Sequence, residues 1–373
     1  MSSAATAAAT SRPPAGRWPL TGAIVAFAGF LLWSVAARQA LLFLIGVGMG
    51  AALAAARFGF TTGWRQLVEQ RDPRGVVGQV TLLALAAMLA MPLLGAFPEL
   101  QAALGPPSVS LLVGAFVFGL TMQIADGCGS GTLYKAGLGV PLNMGILPLF
   151  ALGSFLGSVH LDAWLGLGAM SPVGAVEQWG VGPALGATLV ALILVGLAAR
   201  GWAGWRQPWI DRRWVWGAVA LAVLATLNLL VAGQPWGVVY GFGLWAAKVA
   251  AATGFFDPAA NAFWSQPGHA QRLAQTVLLD VTSITNIGIL AGALWVAARE
   301  RASAAPRPLT ATQWVIGLAA GFVMGYSSRL AFGCNVGAML SGISTGSLHG
   351  WIWVPMAFAG TLIGLRVRRR FGF

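Results

Sequence analysis

Ten apolar runs, at about 19–37, 39–57, 76–97, 108–125, 144–159, 183–200, 214–233, 276–298, 311–328 and 350–366, dominate this 373-residue chain. Each is near the ~20 residues that a bilayer crossing requires. A backbone in hydrocarbon must satisfy its own polar groups, so runs of this kind specify helices. The fold class expected is an all-α integral membrane protein of about ten transmembrane helices. The chain is 57% hydrophobic and only 9% charged, with a mean hydropathy of +0.76, which excludes a soluble domain of this size. The net charge of +12 does not point to nucleic acid, because the arginines gather in short loops between apolar runs. Those clusters are Arg57, Arg65, Arg71 and Arg74; Arg200, Arg206, Arg212 and Arg213; Arg299, Arg301 and Arg307; and Arg366, Arg368, Arg369 and Arg370. With ten spans and both termini in the cytoplasm, all four fall inside.

That count holds only if 237–265 is not a full crossing. The stretch is broken by glycines, contains Lys248 and ends near Asp257-Pro258, so a re-entrant or short helix on the outer side is expected. Residues 1–17 are rich in Ala, Ser, Thr and Pro and are expected to form a disordered tail. Trp18 to Ala37 is long for a signal-peptide core and is read as a retained helix. Residues 18–373 then form one transport domain.

The two cysteines, Cys128 and Cys334, lie in glycine-wrapped segments, Asp126-Gly127-Cys128-Gly129-Ser130-Gly131 and Phe332-Gly333-Cys334-Asn335-Val336-Gly337. Glycine on both sides of a thiol suggests backbone that leaves the helix and allows close approach. An offset of 206 superposes Cys128 on Cys334, Gly119 on Gly325, Gly127 on Gly333 and Gly131 on Gly337. An offset of 207 superposes Pro148 on Pro355, Gly153 on Gly360 and Gly157 on Gly364. The two halves, about 39–200 and 214–366, run in opposite directions through the expected topology. Inverted repeats with broken helices near the midplane are a transporter signature.

These residues resemble the YeeE/YedE family of sulfur-compound transport proteins. The likeness runs from about residue 40 to 366. The first half carries Gly127-Cys128-Gly129-Ser130-Gly131-Thr132 in the manner of the family's Gly-Cys-x-x-Gly-Thr segment. The second half, Ser328-Arg329-Leu330-Ala331-Phe332-Gly333-Cys334-Asn335 and then Gly346-Ser347-Leu348-His349-Gly350-Trp351, is most like the YedE branch. The resemblance implies an inverted-repeat bundle pinched at the middle from both faces. It implies thiosulfate import with thiols passing the substrate by hydrogen bonding, and a cytoplasmic sulfurtransferase as partner. One departure stands out. Arg57-Phe58-Gly59 matches the family's Arg-Phe-Cys segment, with Gly59 where a third cysteine is expected.

A soft dianion needs donors, positive potential and a polarisable partner. N–H groups at the starts of helices supply the first two, and a neutral thiol supplies the third. Weak contacts of this kind suit conduction, because the substrate must also leave. The expected substrate-contacting residues are Cys128, Cys334, Gly127, Gly129, Gly333, Asn335, Gly59, Arg329, Lys135 and Lys248. Small buried core residue is the plain alternative for the cysteines, interfacial snorkelling for Arg329, and the positive-inside rule for Lys135. Asp126 is read as structural, balancing Lys135 or capping a short helix, and Asp280 as an interfacial residue at the start of a long apolar helix, with a proton-coupling acid as the alternative. No Walker loop, dinucleotide fold or metal-ligand spacing is present, so no cofactor and no catalytic residue are expected. A dithiol redox subunit is the reading from another class, and another chalcogen species is the alternative cargo.

Overall fold

The computed structural model describes residues 17–299 and 308–373. Arg301 and Arg307, and nearly all of the expected tail, lie outside the described residues. Helices form at all ten expected runs. The first half holds α1 (Arg17–Ser34), α2 (Ala37–Ala56), the short α3 (Phe60–Gln70) and α4 (Arg74–Ala96). α5 (Val109–Ile124) leads into the first cysteine turn, α6 (Gly129–Gly137) leaves it, and α7 (Pro141–Val159) follows. Two single turns, α8 (Leu161–Leu165) and α9 (Ala175–Trp179), precede α10 (Val181–Ala203). The second half holds α11 (Arg212–Ala232), α12 (Val239–Ala252), α13 (Pro267–Ala274) and α14 (Val281–Ala297). α15 (Ala311–Leu330) leads into the second cysteine turn. A π-wound stretch, Asn335–Ser341, leaves it, continued by α16 (Gly342–Ser344) and then α17 (Leu348–Arg370).

Eight helical stretches among the described residues are long and apolar enough to cross a membrane. The shortfall from ten has local causes. α1 opens on Arg17 and Pro19, which dilute its hydropathy. α14 is cut to 17 residues because the Asp280 carboxylate accepts from the Ser283 N–H at 2.7 Å and starts the helix there. At 1.5 Å per residue it is about 25 Å long. The 237–265 stretch contains the 14-residue α12 followed by irregular chain, a short element as expected. This is a multi-pass, all-α membrane protein.

Helix neighbours come in matched pairs. α5 packs along α17 as α15 packs along α7, and α2 packs along α14 as α11 packs along α4. Small residues make the closest crossings. A Cβ on Gly119 of α5 would run into the carbonyl of Ala357, and one on Gly360 of α17 into that of Phe116. In the other pair, a Cβ on Gly153 of α7 would strike the carbonyl of Phe322, and one on Gly325 of α15 that of Phe150. Backbones this close gain dispersion contacts that lipid tails cannot match. The positions that align by sequence offset therefore occupy the same places in two helix crossings. Pro148 and Pro355 both lie inside helices, α7 and α17.

Candidate functional site

The two cysteine segments fold as the same elbow. At the end of α5 the chain turns left-handed at Asp126 (φ 54°), and after α15 it does so at Phe332 (φ 56°). Cys128 (φ −80°, ψ −170°) and Cys334 (φ −89°, ψ −168°) then take the same extended conformation and stand at N-cap positions. Each sends its carbonyl to the fourth residue on: Cys128 to the Thr132 N–H and Cys334 to the Ala338 N–H, both at 2.8 Å. The preceding glycines are sterically required. A Cβ on Gly127 would lie 2.8 Å from the Thr132 nitrogen, and one on Gly333 2.6 Å from the Ala338 nitrogen. Gly333 also holds φ +150°, which side chains disfavour.

The elbows bring their thiols together. Both cysteines are fully buried and unbridged. A Cβ on Gly129, next to Cys128, would lie 3.2 Å from the Cys334 sulfur and 3.3 Å from the Phe150 ring. The Cys334 sulfur faces the Cys128 thiol and the backbone N–H groups of Val336, Gly337 and Ser130, the last from the opposite elbow. The Cys128 sulfur faces the Gly131 N–H and lies 3.4 Å from the Ser130 hydroxyl. Two helix starts thus converge on one sulfur pair. Such starts carry unpaired N–H donors and partial positive charge.

Other polar groups nearby lack partners. Both amide atoms of the fully buried Asn335, and the hydroxyl of Thr132, make no hydrogen bond among the described residues. A buried polar group left unpaired costs about 1–3 kcal/mol. That is a large cost to leave in place unless a ligand satisfies it. The stretch after Cys334 is π-wound, a geometry that recurs at functional sites.

The four remaining expected residues fall in other places. Lys135 donates to the Asp126 carboxylate at 2.7 Å and to the Asp126 carbonyl. Arg65 of α3 meets the same carboxylate at 2.6 Å and Arg368 of α17 meets it at 3.3 Å, so Asp126 is structural in a larger sense than a cap. Arg329 lies away from them in the last turn of α15. Its guanidinium stacks over Phe263 at 4.9 Å and Tyr240 at 5.6 Å, its Nε has no hydrogen-bond partner among the described residues, and Arg272 covers the same Tyr240 ring at 5.0 Å. Lys248 donates to the Leu273 carbonyl at 2.5 Å and to that of Gln275, so it closes the end of α13 and is not at the thiols. Gly59 is the N-cap residue of α3. A Cβ there would sit 2.7 Å from the Thr62 hydroxyl and 3.6 Å from the Tyr134 hydroxyl of α6.

Ser130, Thr132, Arg65 and Arg368 also belong to the site, beyond the residues that the sequence points to. Ser130 and Thr132 stand inside the quoted motif, which was the available signal. Nothing local marks Arg65 or Arg368, whose role depends on helices meeting. Among the described residues no group of three His, Cys, Asp or Glu side chains could hold a metal ion.

A polytopic helical bundle with two broken, glycine-lined elbows meeting inside it defines a membrane transport protein rather than an enzyme. The chain matches the family model described as Sulphur transport over residues 55–363, and it belongs to that family. It is 26% identical over 330 residues to the thiosulfate transporter TsuA of Spirochaeta thermophila, covering 83% of this chain and 92% of that protein. It is 25% identical over 169 residues to the probable transporter YedE of Salmonella typhimurium, and 26% over 180 residues to that of Escherichia coli. Each of these two matches covers 44% of this chain and 40% of the relative. Membership of a transport family decides against the dithiol redox subunit.

Proposed function

We propose that this protein is a bacterial inner-membrane permease for small sulfur-containing anions, thiosulfate first, with both termini cytoplasmic and the two halves related as inverted repeats. The observation that carries the reading is the meeting of two matched elbows at one sulfur pair, Cys128 and Cys334, with backbone N–H groups from both elbows turned toward it. The thiols offer the terminal sulfur a soft partner, and the N–H groups and the Asn335 amide offer the oxygens donors. Each contact is weak, so the anion can move on. Arg329 supplies positive potential on one side of the pair, and the Lys135 cluster does so on the other. A cytoplasmic sulfurtransferase is the proposed acceptor. The test is uptake of labelled thiosulfate into proteoliposomes. Cys128→Ala and Cys334→Ala are each expected to abolish most of it, and wild-type rates in both would end the relay.

Gly59 favours a second reading, in which the cargo is another chalcogen species, a selenium compound or a reduced sulfur species. The third thiol of the family pattern is missing there, close to Tyr134 of α6. Competition by a panel of anions against labelled thiosulfate separates the two. Thiosulfate outcompeted by a selenium anion at equal concentration selects the second.

A further inference from the structure

Three cations converge on Asp126 from three elements. Arg65 comes from α3, Lys135 from α6 and Arg368 from α17, at 2.6, 2.7 and 3.3 Å. The nearby acid Glu69 pairs with Arg369 instead, at 3.7 Å. One carboxylate against three cations leaves a surplus of two positive charges in a partly buried cluster, and an uncompensated charge away from water is expensive. A dianion would cancel it.

The second elbow shows that the turn itself does not need an acid. Phe332 takes the same left-handed conformation at the matching position with no charge at all. The carboxylate is therefore there for its partners. It also stands at a boundary. Asp126 lies two residues before Cys128, and together with Arg368, Asn143, Gln313 and Trp314 it lines a cavity of about 830 Å³ beside the C-terminal residues. Of the three cations, Arg368 lines that cavity.

We infer that Arg65, Lys135 and Arg368 form a second anion site for a small oxyanion of two charges, and that the Asp126 carboxylate fills it until the substrate displaces it. A carboxylate and a sulfur oxyanion accept the same charge-assisted hydrogen bonds; Asp126 takes them from Arg65 and Lys135, while the Arg368 Nη1, 3.3 Å from it, donates to the Gln123 carbonyl and adds its charge. A built-in competitor keeps the site from holding the substrate too tightly and returns to drive it out. No covalent step is involved. The inference rests on the permease reading for its direction of travel but not for its chemistry.

The test is isothermal titration of the full chain in lipid nanodiscs with thiosulfate and, separately, inorganic sulfate at constant ionic strength. Asp126→Asn removes the competitor's charge and is expected to bind both anions about tenfold more tightly, the scale set by one charge-assisted hydrogen bond. Its thiosulfate turnover falls, because release slows. Asp126→Glu keeps the competitor and stays near wild type. Arg368→Gln weakens binding of both anions. The site is refuted if Asp126→Asn, with an unchanged melting profile, binds neither anion more tightly. If Asp126→Asn does not fold, Arg368→Gln decides: unchanged binding of both anions refutes the site. Sulfate keeps this separate from the transport reading. Tighter sulfate binding without any thiosulfate uptake keeps the site and removes the permease reading; normal uptake without tighter binding does the reverse.

Discussion

The two cysteine elbows share a backbone and differ in what surrounds it. The left-handed turns at Asp126 and Phe332, the cysteine dihedral angles, the carbonyl bonds and the sterically required glycines all correspond, although Gly333 alone of the two glycines has a positive φ. Yet the first is ringed by Arg65, Lys135 and Arg368 around Asp126, and the second places Phe332 against the His349 ring. The first continues as an ordinary α-helix, and the second is π-wound. The lesson is a division of labour. What presents a sulfur is kept twice, and what sets the charge on each approach is free to diverge.

The comparison breaks most readily at the glycines. Gly333→Ala and Gly127→Ala should each abolish uptake, since both new methyl groups collide with backbone nitrogen and only large rearrangement relieves that. Proteoliposome transport of each variant checks this, and a tolerated Gly127→Ala would show that the elbows are not equivalent. Next come the crossings. Gly119→Ala and Gly325→Ala push α5 from α17 and α15 from α7 at matching points, and each should cost about 1–3 kcal/mol as overpacking does. Melting curves should shift by similar amounts; strongly unequal shifts would count against a shared architecture.

Restoring the missing thiol is milder. Gly59→Cys needs Thr62 to change rotamer, and no left-handed backbone stands in the way, since Gly59 has φ −112°. Expression and melting should stay near wild type while the ranking of competing anions changes. An unchanged ranking would remove position 59 as a discriminator.

The smallest effect concerns the segment beside Arg329. Burial and the guanidinium groups of Arg329 and Arg272 push the His269 imidazole down to about 4, from an ordinary value of 6.5. The folded segment thus holds fewer protons than the unfolded one between those values. Its stability is intact above about pH 6.5 and falls as the pH drops toward 4. Hydrogen-exchange protection factors in α13, corrected for the intrinsic pH dependence of exchange, should fall between pH 7.5 and 5, and His269→Phe should flatten that dependence.

Much of the fold is legible in the apolar runs, because hydrocarbon allows so few backbone solutions. The short α12 shows through its glycines and Lys248. The late start of α14 at Val281, capped by Asp280, is not visible in the apolar run itself, whose expected span begins at 276. At the site, the glycine-wrapped cysteines and their register are readable from sequence. Their contact is not, because it depends on where four long helices place two turns. Lys248 looks like a cavity cation and is tied to carbonyls because α13 folds back over it. Asp126 and Arg368 stand 242 positions apart, and no local pattern links them.

The π-wound stretch has a consequence for how the two halves are counted. A hydrogen-bonded ring closed from i to i+5 contains one residue more than a ring closed from i to i+4. The offset that aligns the halves is 206 up to Gly131 and Gly337, and 207 from Pro148 and Pro355 onward. The stretch Asn335–Ser341 spans the start of that interval. The extra residue that the numbering demands can therefore be absorbed as a bulge beside Cys334, leaving Pro355 and Gly360 facing the same way as their counterparts. Deleting one residue there should tighten the coil to an α-helix and bring the two halves into a single register, at the expense of whatever the widened turn accommodates.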